Sequence, residues 1–146
     1  MKSKAIIKAI LMAACVCLLL AACSPVEPIQ TPIGSFDYSQ KFVTSLQNRI
    51  DDTQGEVYMP QQGKIFLVVY MMPAGGSSVS LDDAQSYFQR GTNVILDGET
   101  FGLYSLAFER VDGISERIGL VFEVKDKGYA DTTEQPLLKL ELPSTP

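Results

Sequence analysis

The run Ile65-Phe66-Leu67-Val68-Val69-Tyr70-Met71-Met72 is the feature that most restricts what this chain can become. It offers no polar face, so a strand built from it must be covered on both sides. Its β-branched and aromatic residues also favour extended backbone over helix. The segment from Lys64 to Met72 therefore reads as the central strand of a sheet with structure packed on each surface.

The flanking sequence keeps a period of two. Asn93 to Val111 holds two apolar runs, Val94-Ile95-Leu96 and Phe101 to Phe108, and Asp97-Gly98 between them supplies the positive-φ residues of a tight hairpin. Ile118, Leu120, Phe122 and Val124 alternate with Gly119, Val121 and Glu123, which predicts a half-buried strand ending at Asp126-Lys127-Gly128. Leu138, Leu140 and Leu142 repeat the alternation, with Lys139 and Glu141 facing water, as a closing strand. Phe42, Leu46 and Ile50 suit either a helix face or an alternating strand within 36–50, and the strand reading is preferred. One segment breaks the rhythm: Ser80-Leu81-Asp82-Asp83 fits a capping box, Leu81, Ala84 and Phe88 share a helical face, and Gly91 can close the helix, predicting a short helix over 81–90. The sum is an all-β fold, an antiparallel β-sandwich of about five to seven short strands.

Three motifs support a closer comparison. Gly63-Lys64-Ile65-Phe66 opens the long apolar strand, Leu96-Asp97-Gly98-Glu99-Thr100-Phe101 makes a mid-domain turn, and Gly119-Leu120-Val121-Phe122-Glu123-Val124 precedes the Leu-rich strand. Over residues 57–142 the chain resembles the immunoglobulin-like "immunoprotective extracellular" domain of many bacterial lipoproteins. It departs from that pattern after the first long strand, where Met72-Pro73-Ala74-Gly75-Gly76 replaces the asparagine such domains often carry. The resemblance implies an immunoglobulin-like β-sandwich outside the cytoplasm and brings no activity with it.

The N-terminus points to the same compartment. Lys2, Lys4 and Lys8 precede an uncharged apolar run from Ala9 to Ala22, the order of a secretory signal. Leu20-Ala21-Ala22-Cys23 followed by Ser24-Pro25 resembles the bacterial lipobox, which implies cleavage of residues 1–22 and a lipid on Cys23. An uncleaved anchor helix and an ordinary cleaved signal are the alternatives. Cys15 and Cys17 would leave with the signal, since a cut before either leaves too short an apolar core. From Ser24 to Ser35 the chain carries Pro25, Pro28 and Pro32, so 23–35 reads as a lipidated end and an extended tether of up to roughly 35 Å. The domain is then 36–142, and 143–146 reads as a loose end.

Cleavage leaves 124 residues, enough for one core. Loss of the three signal lysines takes the net charge from −5 to about −8. No basic cluster remains, so nucleic acid and anionic headgroups are not expected as partners. Histidine is absent from all 146 residues, which removes the commonest general base and zinc ligand and every Ser-His-Asp arrangement. With Cys23 acylated no free thiol is left. No catalytic residue, cofactor or metal ligand is assigned, and the chain is not expected to be an enzyme.

Weaker candidates remain. Asp51-Asp52, Asp82-Asp83, and Asp97 with Glu99 are carboxylates of the kind that ligate calcium, but none follows a ligand spacing, and solvated turns and a helix N-terminus explain them better. A carboxylate pair could also serve glycoside hydrolysis, which needs a cleft. The loop from Met71 to Ser78 runs soft apolar residues into glycines and could present a binding surface or simply end a buried strand. The expected role is thus a membrane-anchored envelope lipoprotein, held by Cys23, that contacts an unidentified envelope or extracellular protein. Small-ligand or calcium binding, and a non-catalytic structural or surface-protective role, are the alternatives. Cys23→Ser should abolish acylation and leave the protein unprocessed or released; fractionation with membranes at the wild-type level would oppose the anchor.

Overall fold

The computed structural model describes residues 27–50, 53–76, 78–111, 115–132 and 136–144. The signal segment and Cys23 lie outside the described residues, as do Asp51, Asp52 and Ser77. Within the described residues the fold is an all-β antiparallel sandwich with one α-helix. Its strands are β1 (Ile29–Thr31), β2 (Gly34–Val43), β3 (Leu46–Ile50), β4 (Thr53–Tyr58), β5 (Lys64–Pro73), β6 (Asn93–Leu96), β7 (Glu99–Gly102), β8 (Ser105–Val111), β9 (Ser115–Lys125) and β10 (Leu138–Glu141). Helix α1 (Leu81–Phe88) links β5 to β6. One sheet has the order β1-β2-β5-β9-β8 and the second β10-β6-β7, while β3 and β4 pair only with each other.

The apolar run becomes β5, between β2 and β9, with Val68 opposite Lys41 on one side and Val121 on the other. Its two faces enter different cores. Ile65, Leu67, Val69 and Met71 point between the sheets and join Phe36, Leu120, Phe122 and Val94. Phe66, Val68 and Tyr70 point the other way and are buried with Leu46, Ala107 and Val121, with Tyr58 packed against them. The β3–β4 hairpin is therefore a third layer, laid over the outer surface of the large sheet. Each large apolar side chain so buried contributes roughly 1.5–3 kcal/mol, which makes β5 the element with most to lose from any break in cover.

β9 meets the same cover, and the half-buried reading is corrected there: Val121 is fully buried because the sheet has a layer on its outer face too. Gly119 sits opposite Tyr70 and Ala107 in the two ladders. A Cβ at this position would lie 3.0 Å from Val68 Cγ1 and 3.3 Å from the Ala107 Cβ.

The apolar stretch 101–108 is not one strand. It breaks at Leu103-Tyr104, where the chain passes from the small sheet to the large one; Leu103 N–H bonds Thr92 O at 3.0 Å and Tyr104 N–H bonds Val121 O at 2.8 Å. The turn before it follows from Asp97 and Gly98, with φ of 49° and 81°, the two left-handed residues of a type I′ hairpin. The segment 36–50 is extended, as two strands rather than one.

α1 begins with a variant of the expected capping box, in which the Asp83 carboxylate meets the Ser80 hydroxyl. The Ser80 hydroxyl accepts the Asp83 N–H at 3.1 Å and donates to the Asp83 carboxylate at 2.7 Å. It ends at Phe88, two residues earlier than expected, because the Thr92 hydroxyl donates to Phe88 O at 2.7 Å and Gly91 takes a φ of 145°. Ala84, Tyr87 and Phe88 are buried, whereas Leu81 is exposed. Phe88 meets Phe36 edge-on with centroids 6.0 Å apart, closing one end of the core.

The segment read as a tether is ordered from Ile29 onward. Ile29 pairs with Phe36, and Ile29 and Ile33 pack against the core. Pro28 has no N–H to give to a ladder, and the pairing with β2 starts one residue after it. At the other end, Pro143 is held by the Tyr87 hydroxyl, which donates to its carbonyl at 3.2 Å.

Replacing Gly119 by valine forces methyl groups against Val68 and Ala107, where overpacking costs typically 1–3 kcal/mol. Urea titration of Gly119→Val should show a lower midpoint at unchanged slope; an unshifted midpoint would mean that β5, β8 and β9 can move apart freely.

Candidate functional site

The sandwich is closed unequally along its two long sides. On one side β7 leads directly into β8 through Leu103 and Tyr104, and Tyr104 packs on Phe66 with centroids 5.3 Å apart. On the other side β2 and β10 are the flanking strands, and each has an edge without a strand partner among the described residues. β1 covers only the first three residues of β2, 34–36, so Asp37–Val43 pairs with β5 alone. β10 pairs with β6 alone.

Side chains along this side are only half covered. Tyr38 has the same strand parity as buried Phe36 and packed Phe42, hence points toward the second sheet, yet it is 43% exposed. From the facing sheet Leu138, Leu140 and Leu142 reach the core but remain partly exposed. This half-covered side, with β2 on one sheet and β10 on the other, is termed the lateral slot.

Both ends of the slot are pinned. At one end Tyr129 stacks on Phe42, with centroids 4.7 Å apart and an interplanar angle of 22°. The Tyr129 hydroxyl donates to Asp97 Oδ2 at 2.6 Å, which ties the approach to β10 to the β6–β7 turn. Burial, and then this hydrogen bond to a carboxylate, push the Tyr129 phenol up to about 12. Beside the stack lies a hollow of about 230 Å³ lined by Gln40, Lys41, Phe42, Tyr129, Thr132 and Pro136, among others. At the other end α1 closes over Phe36, and Arg90, Asn93, Glu141 and Pro143 line a wider, open hollow. Arg90 lies over the Tyr87 ring, 5.6 Å from its centroid.

The acidic candidates are dispersed. Asp82 and Asp83 occupy the first turn of α1, where the helix dipole favours them. Glu99 is exposed and accepts from Lys125 at 2.7 Å and Lys127 at 3.4 Å, and these lysines hold its carboxyl below the usual range. Asp97 accepts from Tyr129. Elsewhere Glu123 is lowered, because the Gln61 N–H and the Lys64 ammonium outweigh the opposing effect of burial. Among the described residues no three His, Cys, Asp or Glu side chains converge on a point that could hold a metal ion. The Met71–Ser78 loop divides: Met71 is buried, Met72 is 42% exposed, and Ala74–Gly76 forms a 3₁₀ turn.

On the outer surface of the large sheet, Arg117 lies 4.0 Å from the Tyr70 ring centroid and its Nε bonds Glu109 at 2.7 Å. This stack keeps Tyr70 buried beyond the reach of the hairpin, and burial raises its phenol, helped by Glu109. It is a structural cover for an apolar sheet.

The slot was not legible in the sequence. Tyr129 and Phe42 are far apart along the chain, and six tyrosines scattered through it mark no platform. Strand parity could have flagged Tyr38 as inward-pointing, but its exposure depends on which strands lack neighbours. Comparison of the chain with protein-family models, with curated proteins and with solved structures returns no match. No helix among the described residues is long and apolar enough to cross a membrane.

The Tyr129–Asp97 bond has a pH signature. The unfolded phenol ionises near 10 and the folded one near 12, so between these values the folded state holds more protons and stability falls as pH rises. The contribution is complete below pH 10 and lost by about pH 12. Thermal unfolding between pH 9 and 12 should fall less steeply for Tyr129→Phe than for wild type; parallel curves would show that Asp97 does not hold the phenol.

Proposed function

We propose that this protein is a lipid-anchored envelope protein, acylated at Cys23, whose exported sandwich works by contact with another protein. The lipobox-like Leu20-Ala21-Ala22-Cys23 supports the anchor, and the lack of histidine removes the commonest general base and the usual catalytic triads. The observation that carries the contact reading is the lateral slot. A core left half covered along one side, flanked by edges that pair with no strand among the described residues, is a surface suited to a protein chain. The two hollows at its ends are open rather than enclosed, and the carboxylates near it are engaged by Tyr129 and lysines, which favours a protein partner over a small ligand or calcium.

Strand order supports the immunoglobulin-like part of the reading. In such sandwiches strands A-B-E-D form one sheet, and C pairs with F in the other. Here β2-β5-β9-β8 follows A-B-E-D in both chain order and sheet order. In the second sheet β10-β6-β7 corresponds to F-C with an additional strand after C. The β1 and β3–β4 hairpins are additions to that frame.

The test is photo-crosslinking in cells, with a photoreactive phenylalanine in place of Tyr38 and, as a control, in place of exposed Leu81 on α1. A discrete adduct to one envelope protein from position 38 and none from position 81 is the expected result. Equal labelling from both, or none from position 38, would overturn the slot as the contact surface.

A further inference from the structure

We infer that the end of the sandwich formed by the Thr31–Gly34 turn, the Ala74–Gly76 turn and the start of α1 rests on the headgroup region of the bilayer that holds the Cys23 lipid. This depends on the anchor reading and adds an orientation to it. Three elements meet at that end. Phe36 pairs with Pro73, so the turn before β2 and the turn after β5 lie side by side. A Cβ on Gly34 would lie 3.6 Å from Val79 Cγ2, which sets the residues leading into α1 against the same turn. Residues 28–36 and 65–81 contain no Asp, Glu, Lys or Arg, and these two uncharged stretches supply the surface. Met72, which follows Tyr70 on the outer face of β5, is 42% exposed, and Leu81 is 38% exposed at the start of α1. Asp37, Asp82 and Asp83 border the surface. Beyond β5 the β8–β9 hairpin brings Arg110 opposite Glu116, and Arg117 bonded to Glu109, so its charges balance. The opposite end carries Lys64, Asp97, Glu99, Glu123, Lys125 and Lys127. Exposed apolar and small uncharged side chains suit shallow burial among zwitterionic headgroups, without attraction to anionic lipid.

The length of chain behind the lipid selects between the two ends. Ile29 is level with Phe36, and Val43 lies at the far end of β2, about 23 Å away at the rise of a strand. The chain from Cys23 to Ile29 reaches only about 20 Å when fully extended. A lipid at Cys23 therefore cannot set the charged end, which lies at Val43 and beyond, on its own bilayer. The Thr31–Gly34 turn is two strand residues from Ile29, roughly 7 Å, and is well within reach. The flank of β2 is within reach as well, but Asp37 and Lys41 would have to enter the interface there, and the slot would be shut against the membrane. With the uncharged end down, the slot opens sideways.

Cys23 is the only cysteine in residues 23–146, so a single added cysteine can carry a fluorophore once Cys23 is acylated. The test places bimane on Met72→Cys, Leu81→Cys, Tyr38→Cys or Met59→Cys, all at exposed positions, in the acylated protein reconstituted into phosphatidylcholine vesicles that contain a headgroup nitroxide lipid. Quenching at 72 and 81 should exceed that at 38 and 59 by roughly threefold, and should persist when salt is raised from about 0.1 to about 1 M, because apolar contact is not screened. Strongest quenching at 38 would put the β2 flank on the bilayer, and equal quenching at all four sites would mean a domain without a preferred face; either overturns the inference. Quenching at 72 and 81 that disappears in high salt would also overturn it, since charge would then hold the domain. An unacylated Cys23 in the mass spectrum would remove the anchor and this orientation with it, whereas an acylated protein with unquenched 72 and 81 would overturn the orientation alone.

Discussion

Burial of β5 on both faces is the constraint from which the rest of the architecture follows. A strand with Ile65, Leu67, Val69 and Met71 on one side and Phe66, Val68 and Tyr70 on the other cannot rest in a simple two-layer arrangement with one wet face. The small sheet and α1 cover the first set. The β3–β4 hairpin and the Arg117–Tyr70 stack divide the second between them. Two unlike solutions serve one surface: a hydrophobic lid where the hairpin reaches, and a guanidinium plane paired with Glu109 where it does not. Gly119 belongs to the same solution, since it leaves room for the Val68 and Ala107 side chains beside it.

Elements whose information is local were legible in the sequence. Asp97-Gly98 encodes its turn through two left-handed backbone conformations, and Ser80 with Asp83 encodes the start of α1 through one reciprocal pair of hydrogen bonds. The apolar run encodes a doubly covered strand because it leaves no polar face to turn toward water. What escaped were the features decided by distant neighbours. Val121 follows the alternation of a half-buried strand, and only the position of Leu46 and Tyr58 above it makes it a core residue. Ile29 lies among prolines that suggest a free tether, and its pairing with Phe36 depends on the Thr31-Pro32-Ile33-Gly34 turn, whose proline and glycine read equally well as tether residues. The two-sheet passage at Leu103-Tyr104 falls inside a mainly apolar stretch, where only the flanking Gly102 and Ser105 interrupt the pattern and neither by itself marks a change of layer.

The candidate site lies at the far end of that scale. Its parts come from β2, the β6–β7 turn, the segment after β9, and β10, and they meet only because Tyr129 bridges Phe42 and Asp97. That bridge is polar at one end and aromatic at the other, so it fixes the approach to β10 without filling the slot beside it. The stiffness of the slot's rim and the openness of its middle thus have one origin. A preformed rim reduces the ordering cost that a binding partner must overcome.

The early start of β1 bears on how such a surface would be presented. Five residues lie between Cys23 and Ile29, and the six peptide steps reach about 20 Å at full extension. A lipid at Cys23 would therefore hold the sandwich against the bilayer on a short leash that begins at β1, the neighbour of β2 in the large sheet. Any partner segment tethered in the same membrane would then meet the slot within a thin shell of volume, where effective concentration rather than intrinsic affinity governs occupancy. A weak contact along the slot can be sufficient in that setting, and would be nearly silent in dilute solution.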